Sequence, residues 1–493
     1  MLSALDFRSP WPWLAIGILY FSTRGIYNVY FHPLSRFPGP KLWAAFRSIW
    51  IWSYTSGSHH HRIKKFHDRY GPVVRVAPDE LSFIDGSAWQ DIYTKGAGNK
   101  GLERSLGFIG TQPVPHVFDS NGEDHTRVRR KLMISFSDQA LASQEHVIQQ
   151  YVSKMIDRVR QTTATGESVN IADWLNWFAF DLIGELGFSE SFDQLEKGKS
   201  HSWIVVISAH VKSIAIAMSL NYYPTIKWLL PRIAPGTFSR LLLQFVAPTR
   251  DKVHRRLTRP DSGQLMDMLA TFLPHNNDGE EIIDSETLIG VFSLIIVAGS
   301  ETSATTLTAL INLLTEHPRV MRKLHAEIRQ FAKPTDLTLS ALAQLPYTNA
   351  VIKEGLRLCH PVPPSSSRVT PPEGKTIAGY HVPGNTTVVV PHYAAYRSDA
   401  NFTSAAEFYP ERWLGGKDPG SSVFQPFMVG GHSCVGQNLA QAELRLALAR
   451  LVYEFDIEAV ENFRWEDQAS YIMWQKKPLL VHLKDAAKAS STT

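Results

Sequence analysis

From Leu288 to Ala298 the chain reads LIGVFSLIIVA. A helix built from that run is apolar almost all round, so it has no face for water and must pass through the interior. Asp284 or Ser285 can cap its start, with Glu286 in the first turn. The run then meets Gly299-Ser300-Glu301-Thr302-Ser303-Ala304-Thr305-Thr306, and helical packing resumes at Leu307. Gly, Ser and Thr are poor helix formers, and a buried carboxylate is costly unless compensated. Two readings stand. A small-residue bulge beside an acid and an alcohol holds ordered water and relays protons, or a Ser/Thr-rich kink bonds back to its own carbonyls. Local rules that fail in a core often mark function.

A core of that kind needs a large body, and 493 residues with 44% hydrophobic content supply one. No Pro/Gly/Ser-rich linker divides the chain after residue 40, so residues 42–493 read as one large domain. The net charge of +4 is small for this size and does not suggest nucleic acid. Two cysteines, Cys359 and Cys434, cannot form a disulfide framework, which fits a reducing compartment. Residues 1–31 differ. Pro10 to Phe31 is strongly apolar with Arg24 as its only charge, so it reads as a membrane anchor, spanning or lying in the interface. The proline-rich segment 32–41 reads as a stiff hinge whose Arg36 and Lys41 favour a cytosolic body.

Further along, Trp43 to Tyr70 reads as helical and mostly exposed, and Val73 to Ile84 as two short strands around Pro78-Asp79. His125 and Arg129 lie four apart on a helix and can face one partner; a solvated basic face is the plainer reading. Glu354-x-x-Arg357, alone, is worth about 0.3 kcal/mol on a surface. The loop Gln425 to Asn438 delivers Cys434 just before a helix N-terminus, where a thiol pKa is lowered and metal binding favoured. Taken alone, a buried structural cysteine explains it as well.

The pattern Phe427-x-x-Gly430-x-His432-x-Cys434-x-Gly436 resembles the haem-ligating loop of the cytochrome P-450 family, the haem-thiolate monooxygenases, with His432 where arginine is usual. Ala298-Gly299-x-Glu301-Thr302, Glu354-x-x-Arg357 and Phe408-Tyr409-Pro410-Glu411-Arg412-Trp413 resemble further family motifs, in family order. The resemblance implies a mainly α fold with a small β-rich lobe near 73–85 and 365–391, preceded by a membrane-anchor helix. It implies haem b held through Cys434 as axial iron ligand, with Phe427 and His432 in the same loop. His125, Arg129 and Arg368 would hold the propionates. Thr302 and Glu301 would supply protons, and Glu354, Arg357 and Arg412 would form a buried structural network. Arg127, Arg130 and Lys131 would face outward toward an acidic reductase.

The activity implied is insertion of one oxygen atom from O2 into a hydrophobic small molecule. Its electrons would come from NADPH through a membrane-bound cytochrome P-450 reductase, with cytochrome b5 as a further donor, at the endoplasmic reticulum. Segments 74–81 and 101–108 resemble filamentous-fungal members, pointing to a terpenoid, polyketide or alkaloid intermediate. Ser365, Ser366 and Ser367 would then lie near the substrate. The rival readings are a reductase-independent isomerase or dehydratase of the same fold, and a non-catalytic haem sensor or carrier.

Overall fold

The computed structural model describes residues 9–94, 101–105, 123–233, 237–259, 267–272, 283–415, 420 and 422–486; residues 106–108 of the fungal-like segment lie outside them. Helices dominate. The first, α1 (Pro10–Ile26), continues through a π-turn to Phe31. It leaves Trp11, Trp13, Leu14, Leu19 and Phe21 exposed. The segment expected to be a hinge is instead seated on the body. Leu34 and Phe37 are buried, and the Pro38 carbonyl accepts the Arg75 N–H at 2.7 Å. A side chain at Gly39 would collide with the Arg75 carbonyl.

The residues up to Tyr70 form three helices, Lys41–Ala45, Arg47–Thr55 and His59–Tyr70. They are less exposed than their polarity suggests, because imidazoles pack inward as flat aromatic rings. His59, His60 and His67 are buried. His60 meets Tyr393 and Trp474 edge-on with ring centroids 4.8 and 4.9 Å apart. His67 Nε2 lies 2.7 Å from Ser82 Oγ.

The main sheet has five strands: β1 (Val73–Ala77), β2 (Glu80–Phe83), β3 (Glu103–Arg104), β4 (Arg368–Val369) and β5 (Thr387–Val389). Their spatial order is β1-β2-β5-β4-β3. The β3–β4 pairing is antiparallel and sets Arg104 opposite Arg368. A second sheet, of Val169–Asn170, Leu480–Asp485 and Phe455–Ala459, was not expected. Phe455 reads as the last turn of a helix, yet that helix stops at Glu454 and Phe455 opens a strand.

The scaffold of the site is made of α2 (Glu123–Ser135), α3 (Ile171–Phe188), α4 (Ser285–Glu316), α5 (Pro346–Leu358) and α6 (Gln437–Glu454). Among the described residues, α4 is the helix long and apolar enough to cross a bilayer, but most of that stretch is buried inside the protein. It is the core helix, as its all-round apolar run requires. It lies along α3, with Phe188 and Phe292 ring centroids 5.2 Å apart and Gly299 close against Ile183. The expected bulge is absent: α4 is continuous. Ser300 Oγ donates to the Ile296 carbonyl and Thr302 Oγ1 to that of Ala298, both at 2.6 Å. Thr306 and Thr308 bond back likewise at 2.9 and 2.7 Å. These four hydroxyls are satisfied one turn back, so their residues continue the helix.

Candidate functional site

The loop before α6 is shaped by its backbone. Met428 and Gly430 take left-handed φ values of 61° and 78°. A Cβ at Gly430 would run into the Tyr93 carbonyl, so glycine is required there. The Cys434 N–H closes the loop on the Phe427 carbonyl at 2.7 Å, and the Ser433 N–H on that of Gly430 at 3.0 Å. Phe427 itself is half-buried against the core. Outside the loop, His360 Nε2 lies 2.9 Å from the Pro426 carbonyl. The Tyr396 hydroxyl accepts the Gln425 N–H at 2.8 Å.

Cys434 is solvent-accessible, yet its surroundings desolvate it. Burial pushes its thiol up, against the Gly436 N–H and Arg129, which favour the thiolate. The lowering expected from the helix N-terminus is therefore outweighed by desolvation. The thiolate here gains most when a cation sits on the sulfur.

Basic groups converge beside the loop. Arg129, on α2, donates from Nη1 to the Ser433 carbonyl at 2.8 Å and from Nη2 to Ser433 Oγ at 3.0 Å. His125, one turn earlier, lies with its ring centroid 4.4 Å from that of His432. Arg104, on β3, donates from Nη2 to His432 Nδ1 at 3.0 Å. Arg368, on β4, is 2% exposed. It bonds to Ser366 Oγ and the Ser367 carbonyl at 2.6 and 3.1 Å and lies over the Tyr93 ring. Burial first, then Arg104, Arg368, His125 and Arg129, lower the His432 pKa to about 3. His432 is thus a neutral acceptor. Among the described residues no carboxylate pairs with Arg129 or Arg368.

A second half-open surface runs along α4. Between Leu288 and Leu314 every residue is buried except Leu294, Val297, Ala298, Gly299, Glu301 and Thr302. Positions 294, 298 and 301–302 recur at helical spacing, so they share one face. Glu301 forms an ion pair with Lys476, Nζ to Oε1 2.7 Å.

A family profile described as cytochrome P450 matches residues 38–483. The chain belongs to the cytochrome P450 family. Averantin hydroxylase of Dothistroma septosporum is 37% identical over 480 residues, covering 94% of this chain and 89% of that protein. The cytochrome P450 monooxygenase astJ of Aspergillus oryzae is 37% identical over 475 residues, covering 93% and 94%. Trichothecene C-4 hydroxylase of Trichoderma arundinaceum is 36% identical over 478 residues, covering 94% of both chains. This P450 is a monooxygenase, and its family implies haem.

The residues present fit that group. A thiolate suits iron. Half-buried Arg129 and buried Arg368 bond to neutral oxygens among the described residues; a desolvated guanidinium is costly without an anion, and two propionates would supply the negative charge.

The P450 core behind the loop rests on a network that the E-x-x-R spacing only hinted at. Glu354 and Arg357, both 0% exposed, meet through two bonds of 2.7 and 3.0 Å. Arg412 Nε donates to Glu354 Oε1 at 3.0 Å and Trp413 Nε1 to Oε2 at 2.8 Å. Arg357 also donates to the carbonyls of Tyr396, Ala405 and Glu407.

Sequence reasoning missed the roles of Arg104, His360 and Lys476, and the bond from Trp413 of the quoted motif to Glu354, each a long-range contact. Ser365 and Ser367 line an aromatic-walled cavity with Trp50, Tyr54, Tyr222 and Tyr393, whereas Ser366 turns to Arg368. Of the basic residues expected to face outward, Arg130 is exposed and Arg127 and Lys131 are half-buried.

The Arg104–His432 contact gives a direct prediction. Arginine at 432 would set a third guanidinium against Arg104 and Arg368. His432→Arg should lower the melting temperature of the haem-free protein and slow haem transfer from the loaded protein to apomyoglobin. Equal melting temperatures and equal transfer rates would dispose of this reading.

Proposed function

We propose that this P450 hydroxylates or epoxidises a hydrophobic secondary metabolite of terpenoid, polyketide or alkaloid type. Its electrons come from NADPH through a membrane-bound cytochrome P450 reductase, with cytochrome b5 as a second donor. The observation that carries the reading is the Cys434 loop set beside Arg129 and Arg368, which pair with no carboxylate among the described residues.

When bound, haem would supply the activation of O2, one atom of which enters the substrate. Around it the chain's own residues have separate tasks. Cys434 would hold the iron through its thiolate, and the Phe427 carbonyl fixes that residue's backbone. His125, Arg129 and Arg368 hold the propionates, with Arg104 beside them and His432 as a neutral prop. Thr302 and Glu301 hold and pass protons on the open stripe of α4. Glu354, Arg357 and Arg412 act structurally. The apolar cavity that includes Ser365 and Ser367 is the approach for substrate.

Residues 1–31 anchor the protein in the endoplasmic reticulum membrane, residues 32–41 fix the anchor to the body, and 42–493 form the catalytic domain in the cytosol. The exposed apolar side chains of α1 support this arrangement.

The test is reconstitution with reductase and NADPH, using candidate substrates drawn from metabolites that accumulate in a deletion strain. NADPH-dependent gain of one oxygen is the expected result. Conversion without NADPH would replace this reading by an isomerase or dehydratase. Stable haem binding with no conversion would replace it by a sensor or carrier.

A further inference from the structure

Glu301 does not stand alone in the core. Its Oε1 accepts from Lys476 Nζ at 2.7 Å, and the two side chains are 12% and 8% exposed. Thr305 Oγ1 approaches the same oxygen at 3.4 Å. Lys476 is itself held from the other side, donating to Asn176 Oδ1 of α3 at 2.7 Å. Thus one ammonium ties the core helix α4, the neighbouring helix α3 and the segment leading into the strand Leu480–Asp485.

The division of labour within the carboxylate matters. Oε1 is occupied by Lys476 and Thr305, whereas no hydrogen bond to Oε2 is formed among the described residues. Thr302, the next residue, has its hydroxyl hydrogen committed to the Ala298 carbonyl, so its oxygen is left to accept. Both residues belong to the half-open stripe of an otherwise buried helix. Lys476 is flanked by exposed Gln475 and Lys477, so the ion pair lies just beneath the surface.

We propose that Lys476 is a positioning residue for proton delivery: it pins Oε1 of Glu301 and leaves Oε2 to serve Thr302 and the open face of α4. This rests on the monooxygenase reading. A freely rotating Glu301 would hand over protons at the wrong place, and a buried carboxylate without its counter-charge would repack. The consequence shows in the electron balance. In a coupled turnover, substrate, O2, NADPH and one proton give hydroxylated product, water and NADP+. With protons misdelivered, O2, NADPH and one proton give hydrogen peroxide and NADP+, and the substrate is unchanged.

The test uses the full-length, haem-loaded protein with reductase. Lys476→Met, Lys476→Arg, Glu301→Gln and the double variant E301Q/K476M are compared at equal haem content. Product and hydrogen peroxide are measured per NADPH oxidised. Lys476→Met should lower coupling by about tenfold, less than the roughly 10²–10⁴-fold of a proton donor itself, because Lys476 acts only through Glu301. Lys476→Arg should restore most of it, and the double variant should be no worse than Glu301→Gln. Melting temperatures of the same four variants in the haem-free state should also be non-additive for 301 and 476.

Wild-type coupling in Lys476→Met, or multiplied losses in the double variant, would overturn the proposal and leave the monooxygenase reading intact. Absence of NADPH-dependent product from wild type would overturn both. Should Lys476→Met fail to take haem, Asn176→Leu keeps both charges and removes only the second anchor of Lys476. Reduced coupling there supports the positioning role, and normal coupling overturns it.

Discussion

Glu354→Ala should abolish stable folding and haem loading, although position 354 performs no chemistry. Its carboxylate accepts from Arg357, Arg412, Trp413 and the Tyr409 N–H. Removing it leaves two guanidinium groups that are 0% and 3% exposed facing each other without a counter-charge. Breaking a buried pair from one side costs roughly 3–5 kcal/mol, a large share of the stability of a folded domain. Arg357 and Arg412 also hold the carbonyls of Thr403, Ser404, Ala405 and Glu407, so that chain segment should loosen first. Urea unfolding and haem absorbance per protein are the readouts. Trp413→Phe removes a single donor and should cost about 1 kcal/mol. If Glu354→Ala unfolds within 1 kcal/mol of wild type, by the same scale of a single bond, the network is not what holds this side together.

The second large effect is loss of stability in mild acid. Burial, first among the causes, lowers the imidazole pKa of His59 to about 3, of His60 to about 2, and of His67 and His360 to about 4. Each imidazole is neutral when folded and takes up a proton near pH 6.5 when unfolded. Between those values the unfolded chain binds more protons. Stability is therefore complete above pH 6.5 and falls as the pH is lowered. By pH 5 the loss is roughly 2 kcal/mol per imidazole, less where neighbours share the effect. Glu443 acts in the opposite sense. Burial raises it to about 8, so its contribution grows as the pH falls from 8 toward 4.5. One carboxyl does not offset four imidazoles. Urea midpoints should drop steeply between pH 7 and pH 5, and His60→Phe, packed between Tyr393 and Trp474, should flatten the slope. A level profile across that range would contradict the neutral burial of these histidines.

How far the sequence could be read depended on whether a residue's partner lay nearby along the chain. The all-round apolar run of α4 announced a core helix, and the turn at Pro78-Asp79 announced the β1–β2 pair. The cysteine loop was legible because glycine positions and a following helix are local signals. Of the two readings of the α4 hydroxyls, the bulge failed and back-bonding is found without an interruption of the helix, because such bonds need only the helix itself. The histidines of His59–Tyr70 were misjudged because polarity was taken for exposure. Arg104 and Lys476 left no local signal at all, and Trp413 was legible as part of a motif but not as a donor to Glu354. Arg104 reaches His432 through the β3–β4 pairing, and Lys476 reaches Glu301 from a segment 175 positions later in the chain. Both contacts exist only once the sheets have formed.

The central chemical claim is that the sulfur of Cys434 ligates haem iron. It is tested most directly by the absorption spectrum of the reduced, carbon monoxide-treated protein beside that of Cys434→Ser. Wild type is expected to show the long-wavelength Soret band of thiolate-ligated haem, and the serine variant to lose both that band and NADPH-dependent product. A serine variant that keeps band and product, or a haem-loaded wild type without the band, would contradict it.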